Sequence, residues 1–204
     1  MPETNLAVNF KAWFKSNTAD RVLLPLRKEL VELVEHNSTL LEVGCGTGDL
    51  LFQAASKISM GYGVDVEQGM IEYAEAKRQK HNLNNLSFEC IDALAMEPRK
   101  VDVSTSTLCL HEMPEQQACA LLRMMVDSSE IVLIADFTKA KSTLGQLSIE
   151  FDEFFSGHYR NYRHYRRSGG IPSYSEKIGA RVHKEITCAV EGISIWIVSN
   201  NMRK

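Results

Sequence analysis

Glycines at positions 44, 46 and 48 stand two apart in "LEVGCGTGDL", with Glu42 just ahead of them and Asp49 just behind. A turn this bare of side chains exposes backbone N–H groups. Where it opens a helix, those groups sit at the helix's positive end, and glycine lets a ligand come close. About twenty residues on, Asp65 ends a second apolar run, where a carboxylate can accept hydrogen bonds from both hydroxyls of a ribose. The chemistry implied is capture of a nucleoside-bearing small molecule. Cys45 lies inside the turn, yet no neighbouring His or Lys is paired with it in sequence to activate its thiol.

Two ligands fit that much, a nicotinamide dinucleotide and S-adenosylmethionine. The dinucleotide fingerprint, G-x-G-x-x-G, packs its last glycine beside a pyrophosphate. Here the spacing is one residue shorter, and Glu42 would repel a pyrophosphate but could hold an ammonium group, directly or through water. S-adenosylmethionine has an ammonium, a carboxylate and a sulfonium and carries no phosphate, so the charge pattern favours it.

Two further stretches carry candidate chemistry. His111 in "LCLHEMP" is a candidate base, or else a structural hydrogen-bonder; Glu112 beside it reads as solvated or helix-capping. In "EFDEFFSGHYRNYRHYRRSGG", Phe151, Phe154 or Phe155, His158, Tyr162 and Tyr165 recur at helical spacing, with Arg160, Arg163, Arg166 and Arg167 largely off that stripe. One reading is an amphipathic helix with packed aromatics and solvated arginines. The other is a lid whose rings stack on a planar or apolar acceptor while a cation pairs a carboxylate. His158, Tyr159 and Tyr162 then stand with His111 on the acceptor side. Stacking of this basic–aromatic run on RNA is disfavoured by the acidic whole. "NFKAWFKSN", near the start, reads either as a flap over the cofactor pocket or as a packed arm.

The elements that must position these residues alternate regularly. An amphipathic helix over about Asp20 to His36, with Leu23, Leu24, Leu30, Val31 and Val34 inward, precedes "TLLEVG". Then come a helix from Asp49 to Lys57, "GYGVDV", a helix through "GMIEYAEAKRQKHN", "LSFECID", "VDVSTSTLCL", a helix from Pro114 to Val126, and "EIVLIADF". Strand and helix in this rhythm predict a doubly wound, Rossmann-like, mostly parallel α/β sheet with helices on both faces. Later, a helical segment runs from Ser142 to Arg167, "SGGIPSY" interrupts it, and a short helix spans Ser175 to Gly179. "ARVHKEITCAV" and "ISIWIVSN", joined through Glu191–Gly192, form an antiparallel hairpin at one end. The expected total is seven strands in a single domain: 1–37 arm and helix, 38–137 cofactor core, 138–172 acceptor-side insert, 173–204 hairpin. Ligands of such sheets bind outside the carboxyl ends of the strands, so Ser106–Met113 and Asp136–Phe137 should face the acceptor.

These stretches resemble a class I S-adenosylmethionine-dependent methyltransferase, of the small-molecule kind that includes the ubiquinone/menaquinone-type enzymes. "LLEVGCGTGDL" resembles the family's first motif and "GVDVEQGMIEYA" the second; "ECIDALAM" and "VDVSTSTLCLHEMP" resemble the third and fourth. The likeness covers about Leu40 to Asp136. It departs at Val101, where an aromatic is usual, and at "EPRK", where Leu-Pro-Phe is commoner. The resemblance implies contacts to S-adenosylmethionine from Glu42, Gly44, Cys45, Gly46, Gly48, Asp65 and Val66. Asp92 would meet the adenine amino group, Ala93 would offer a backbone contact, and Ser106 would lie near the methionine end. It implies in-line methyl transfer to a small molecule, with no metal; the lid reading is what makes that acceptor aromatic or carboxylate-bearing. Inserts in this region of related enzymes shape the acceptor pocket, which supports the lid. "STLCLHEMP" has no N-P-P-Y-like element, which disfavours the planar-nitrogen chemistry of nucleic-acid and glutamine methyltransferases. The competing readings are a non-catalytic S-adenosylmethionine-binding module, an NAD-dependent oxidoreductase, and propylamine transfer; the last wants extra acids, where this insert is basic.

At 204 residues the chain can bury a substantial core unaided. A net charge of −3 gives no electrostatic reason to expect nucleic acid or an anionic membrane as partner. No apolar run approaches the ~20 residues of a membrane span, and the opening residues lack the charged-then-apolar order of a signal peptide; a cytoplasmic address is the expectation. Five scattered cysteines without a C-x-x-C pair predict neither zinc site nor disulfide framework, but reduced, mostly buried thiols.

Overall fold

The computed structural model describes residues 23–97, 99–138 and 159–201. Its strands form one seven-stranded sheet in the order β3-β2-β1-β4-β5-β7-β6. In chain order the elements are α1 (Leu24–Leu33), β1 (Thr39–Val43), α2 (Asp49–Ala54), β2 (Met60–Asp65), α3 (Gln68–Lys80), β3 (Leu86–Cys90) and β4 (Val101–Thr107). A 3-10 turn at Leu110–Glu112 follows, then α4 (Glu115–Ser128), β5 (Ser129–Phe137), α5 (Tyr159–Ser168), α6 (Gly170–Lys177), β6 (Ala180–Thr187) and β7 (Ile193–Asn200). The mostly parallel sheet with its antiparallel C-terminal hairpin is the expected class. The described residues form two compact units: the first runs to Glu97 and takes in Val101–Val103, the second takes in residues 99–100 and the described residues from Ser104 onward.

In the first unit β1, β2 and β3 pair in parallel, Glu42 opposite Gly63 and Gly63 opposite Phe88. Leu40, Leu41 and Val43 of β1, Leu50, Leu51 and Ala54 of α2, and Met70, Ile71 and Ala74 of α3 are buried as its core. Helix α1 starts where Pro25 can be tolerated, in the first turn. It buries Leu26 and Leu30, with Val34 just past its end, one face at four-residue steps. Leu24, expected inward, is exposed, because the buried stripe is centred two positions further on. The helix described is also shorter than Asp20 to His36, since Val34 turns to extended backbone.

In the second unit β7 pairs antiparallel with β5 on one side and β6 on the other. Val132 to Ala135 of β5 and Ile195 and Val198 of β7 are buried, as are Leu121, Leu122 and Met125 of α4. The strand β6 is the largely exposed edge, bulged between Val182 and Lys184. The break expected at "SGGIPSY" falls at Gly169 and Gly170, left-handed at φ 97° and 62°, where α5 ends and α6 starts. "GIPSY" is helical, because Pro172 falls in the first turn of α6, where its missing N–H has no helical acceptor to lose. The cysteines depart from expectation too. Only Cys45 is buried; Cys90, at the end of edge strand β3, is exposed and the other three are half-buried.

Candidate active site

Gly44, Gly46 and Gly48 all take left-handed backbone, φ 70°, 53° and 74°. Residues with side chains rarely adopt that conformation. Two successive amides, those of Gly44 and Cys45, donate to the Val64 carbonyl at 2.9 and 3.1 Å, and the Gly48 N–H closes on the Cys45 carbonyl at 2.9 Å. The Gly46 N–H points to the end of β2 and donates to Asp65 Oδ2 at 2.8 Å. Asp65 Oδ1 accepts the Glu67 N–H at 2.9 Å, ahead of α3. The turn therefore delivers backbone and carboxylate to one place.

Tight packing holds the turn from behind. A Cβ added to Gly48 would overlap Phe88 Cε1, and one added to Gly63 would stand 2.6 Å from Phe88 Cδ1 and 2.9 Å from Cys45 Sγ. The Phe88 ring, 5.5 Å from that of Phe52, thus occupies the space two glycines leave, and the Cys45 side chain lies on that side. Asp49 lies in the first turn of α2, where an acid suits the helix's positive end. It accepts from Gln53 at 2.8 Å and faces Arg27 and Lys77 at 3.3 Å each.

The other acids and small residues of the first unit fall as follows. Glu42 is buried, 3% exposed, on β1; Val66 is exposed directly after Asp65. Asp92 is exposed, with Oδ1 accepting the Leu94 N–H at 2.9 Å in a tight local turn. Ala93 is buried beside it.

The second unit holds a second polar cluster. His111 Nδ1 and Asp136 Oδ1 are 2.6 Å apart, with both side chains closed to solvent. The Asp136 carboxylate also accepts the Phe137 N–H at 2.7 Å and the His111 N–H at 3.3 Å. A carboxylate only accepts, so Nδ1 donates and Nε2 is the basic nitrogen. Phe137 stacks edge-on at 4.6 Å from the His111 ring, with Tyr162 and Tyr165 at 6.2 and 6.3 Å. The Tyr165 hydroxyl donates to the Phe137 carbonyl at 3.1 Å. Burial, then the Asp136 charge, raises its pKa well above the ordinary phenol value. Ser106 is buried on β4, its hydroxyl without a partner among the described residues.

Of the acceptor-side residues, His111 and Tyr162 come together. His158, with Phe151, Phe154 and Phe155, lies outside the described residues, as does the N-terminal arm. Tyr159 begins α5. Asp136 was expected to face the acceptor from the end of its strand; its pairing with His111 is what sequence reading missed, the signal being an acid closing the apolar run "IVLIADF".

A sheet of this order, with a glycine turn after β1 and an acid ending β2, defines the class I S-adenosylmethionine-dependent methyltransferase fold. The chain belongs to the methyltransferase domain family, whose model matches residues 35–157. It is 37% identical over 87 residues to aklanonic acid methyltransferase DauC of Streptomyces sp. (strain C5), covering 38% of this chain and 40% of that one. The matched stretch thus spans well under half of that curated relative. A SAM-dependent methyltransferase from Aquifex aeolicus superposes with TM-score 0.65 at 17% identity, over 93% of this chain and 97% of the other. An O-methyltransferase from neocarzinostatin biosynthesis, in complex with S-adenosylmethionine and 2-hydroxy-5-methyl naphthoic acid, superposes with TM-score 0.69 at 15% identity, over 93% and 57%. Among the described residues no helix is long and apolar enough to cross a membrane.

Proposed function

We propose that this chain, a single methyltransferase domain, binds S-adenosylmethionine and directs its methyl group to a hydroxyl of a small aromatic acceptor. The observation that carries the reading is the Gly46–Asp65 bond within a turn of three left-handed glycines. The donor set suits the ligand. Glu42, Asp65 and Asp92 supply three acids and the turn supplies no cationic side chain, which fits an amine, a sugar and an adenine amino group and repels a pyrophosphate. Each Asp65 oxygen keeps a lone pair for a ribose hydroxyl while it holds its backbone donor. Gly44, Cys45, Gly46 and Gly48 offer backbone, and Ala93 does the same next to Asp92. Val66 offers apolar surface, and Ser106 a hydroxyl for the methionine end. Bound S-adenosylmethionine supplies an electrophilic methyl on a good leaving group, so alignment and dehydration of the acceptor are the protein's part.

His111 is the proposed base. Asp136 fixes its tautomer and orientation, and Nε2 takes the proton of the acceptor hydroxyl. Phe137, Tyr162 and Tyr165 give it aromatic walls on which a planar acceptor can stack. The residue is only 1% exposed, so one of those walls must move for an acceptor to reach it. An aromatic acceptor is supported by a relative named for aklanonic acid and by a structural neighbour in complex with a naphthoic acid.

Isothermal titration tests the cofactor: S-adenosylmethionine and S-adenosylhomocysteine bind and NAD does not. Binding of NAD alone ends the reading, and cofactor binding without methylation of any hydroxylated aromatic leaves only a binding module. For the base, His111→Gln should cost about a hundredfold or more in turnover with little change in cofactor affinity. A variant with full turnover across pH removes His111 from the chemistry.

A further inference from the structure

Helix α5 has two unlike faces. Tyr162 and Tyr165 turn inward, buried, whereas Arg160, Arg163 and Arg167 recur toward solvent at the three- and four-residue steps of one helix face. Those arginines line a groove of about 460 Å³ whose other wall is Pro114 and Glu115, at the start of α4. Asn161 lines it too, its amide donating to the Glu112 carbonyl at 2.7 Å. Glu115 is the acid among the described lining residues, and it is already engaged by Lys177 Nζ at 2.5 Å and His164 Nε2 at 2.7 Å. Neither Arg160 nor Arg167 has an acidic partner among the described residues. Among the described residues, then, two guanidinium groups face one concave surface with no acid paired to them, in a chain whose net charge is −3.

We propose that this groove is an anion site for a phosphate dianion, free or as the phosphoryl group of a small molecule. Two cations on one groove wall match two negative charges, and a guanidinium fork meets phosphate oxygens in pairs. The volume suits a small ligand and not a chain. The acidic whole argues against a long polyanion, whose approach the rest of the surface opposes. No residue of the glycine turn takes part, so the site stands independently of the methyltransferase reading.

The test is calorimetric titration with inorganic phosphate and with pyrophosphate at fixed ionic strength, on the wild-type chain and on R160Q/R167Q. Both substitutions are on exposed positions, so the variant folds. The expected result is saturable binding by wild type, at least tenfold weaker in the variant, with S-adenosylmethionine affinity unchanged within twofold. No saturable binding by wild type, or equal binding by both proteins, overturns the proposal. Failure to bind S-adenosylmethionine while phosphate binding persists removes the methyltransferase reading and leaves this one intact.

Discussion

The backbone N–H of Gly46 donates to Asp65 Oδ2 at 2.8 Å. The carboxylate expected to read a sugar thus also holds the turn that faces it, so losing it should cost the ligand contact and the turn's shape together. Asp65→Asn keeps one acceptor oxygen but loses the charge. Hydrogen bonds to charged groups contribute about 1.5–3 kcal/mol, which predicts S-adenosylmethionine binding ten- to a hundredfold weaker by calorimetry. Affinity within twofold of wild type would remove Asp65 from the site.

Gly63→Ala should destabilise the chain through Phe88. The new methyl falls 2.6 Å from the ring on edge strand β3 and 2.9 Å from Cys45 Sγ. Overpacking of this kind costs about 1–3 kcal/mol. In urea unfolding, Phe88→Leu introduced beside Gly63→Ala should recover part of that loss; additive losses would show that the ring is not what the methyl meets.

Asp136→Ala strips the acceptor from three N–H donors in a closed site, those of Phe137, the His111 backbone and the His111 ring. A stability loss of about 2–4 kcal/mol is expected from donors left buried without partners. Thermal unfolding measures it directly. A loss under about 0.5 kcal/mol, the range of a plain surface substitution, would show that water replaces the carboxylate without cost.

Asp102 gives a pH signature. Its carboxylate accepts the Thr39 backbone N–H at 2.6 Å and the Thr39 hydroxyl at 2.7 Å. Those two bonds, the backbone one first, hold the Asp102 carboxyl below the ordinary aspartate range. A folded pKa below the unfolded one means that the unfolded chain binds the proton first. The stabilisation is full above about pH 4, the unfolded value, and is lost as pH falls through the lower folded value. Asp102→Asn should therefore lower stability near pH 7, by no more than about 1 kcal/mol for so exposed a group. Its deficit against wild type should be constant above about pH 4 and shrink as pH falls below that unfolded value, and a deficit unchanged on acidification would contradict the linkage.

What was legible in the residues was whatever a local rule forces. Glycines two apart after an apolar run had to turn, and all three take left-handed backbone; Asp65 at the end of the next run had to meet them. Alternating strand and helix segments fixed the sheet class. What lay beyond reach depends on which strands become neighbours. His111 and Asp136 stand twenty-five positions apart and pair because β4 and β5 end side by side. Phe88 looked like any aromatic in a strand until β3 was set beside Gly63. Helix phase was the other weak point. In "LLPLRKELVEL" leucines fall on several faces, and only packing selects Leu26 and Leu30 over Leu24.

Leu108, between β4 and the 3-10 turn, sits at φ 51°. Left-handed backbone costs an L side chain about 1–2 kcal/mol. Its N–H is anchored on the Ala135 carbonyl at 2.8 Å. The neighbouring strand therefore imposes a shape that the segment's own residues would not choose. The stretch carrying His111 is in effect a sprung clip. Transplanted into another scaffold without β5 it would relax, and the imidazole would swing off its mark.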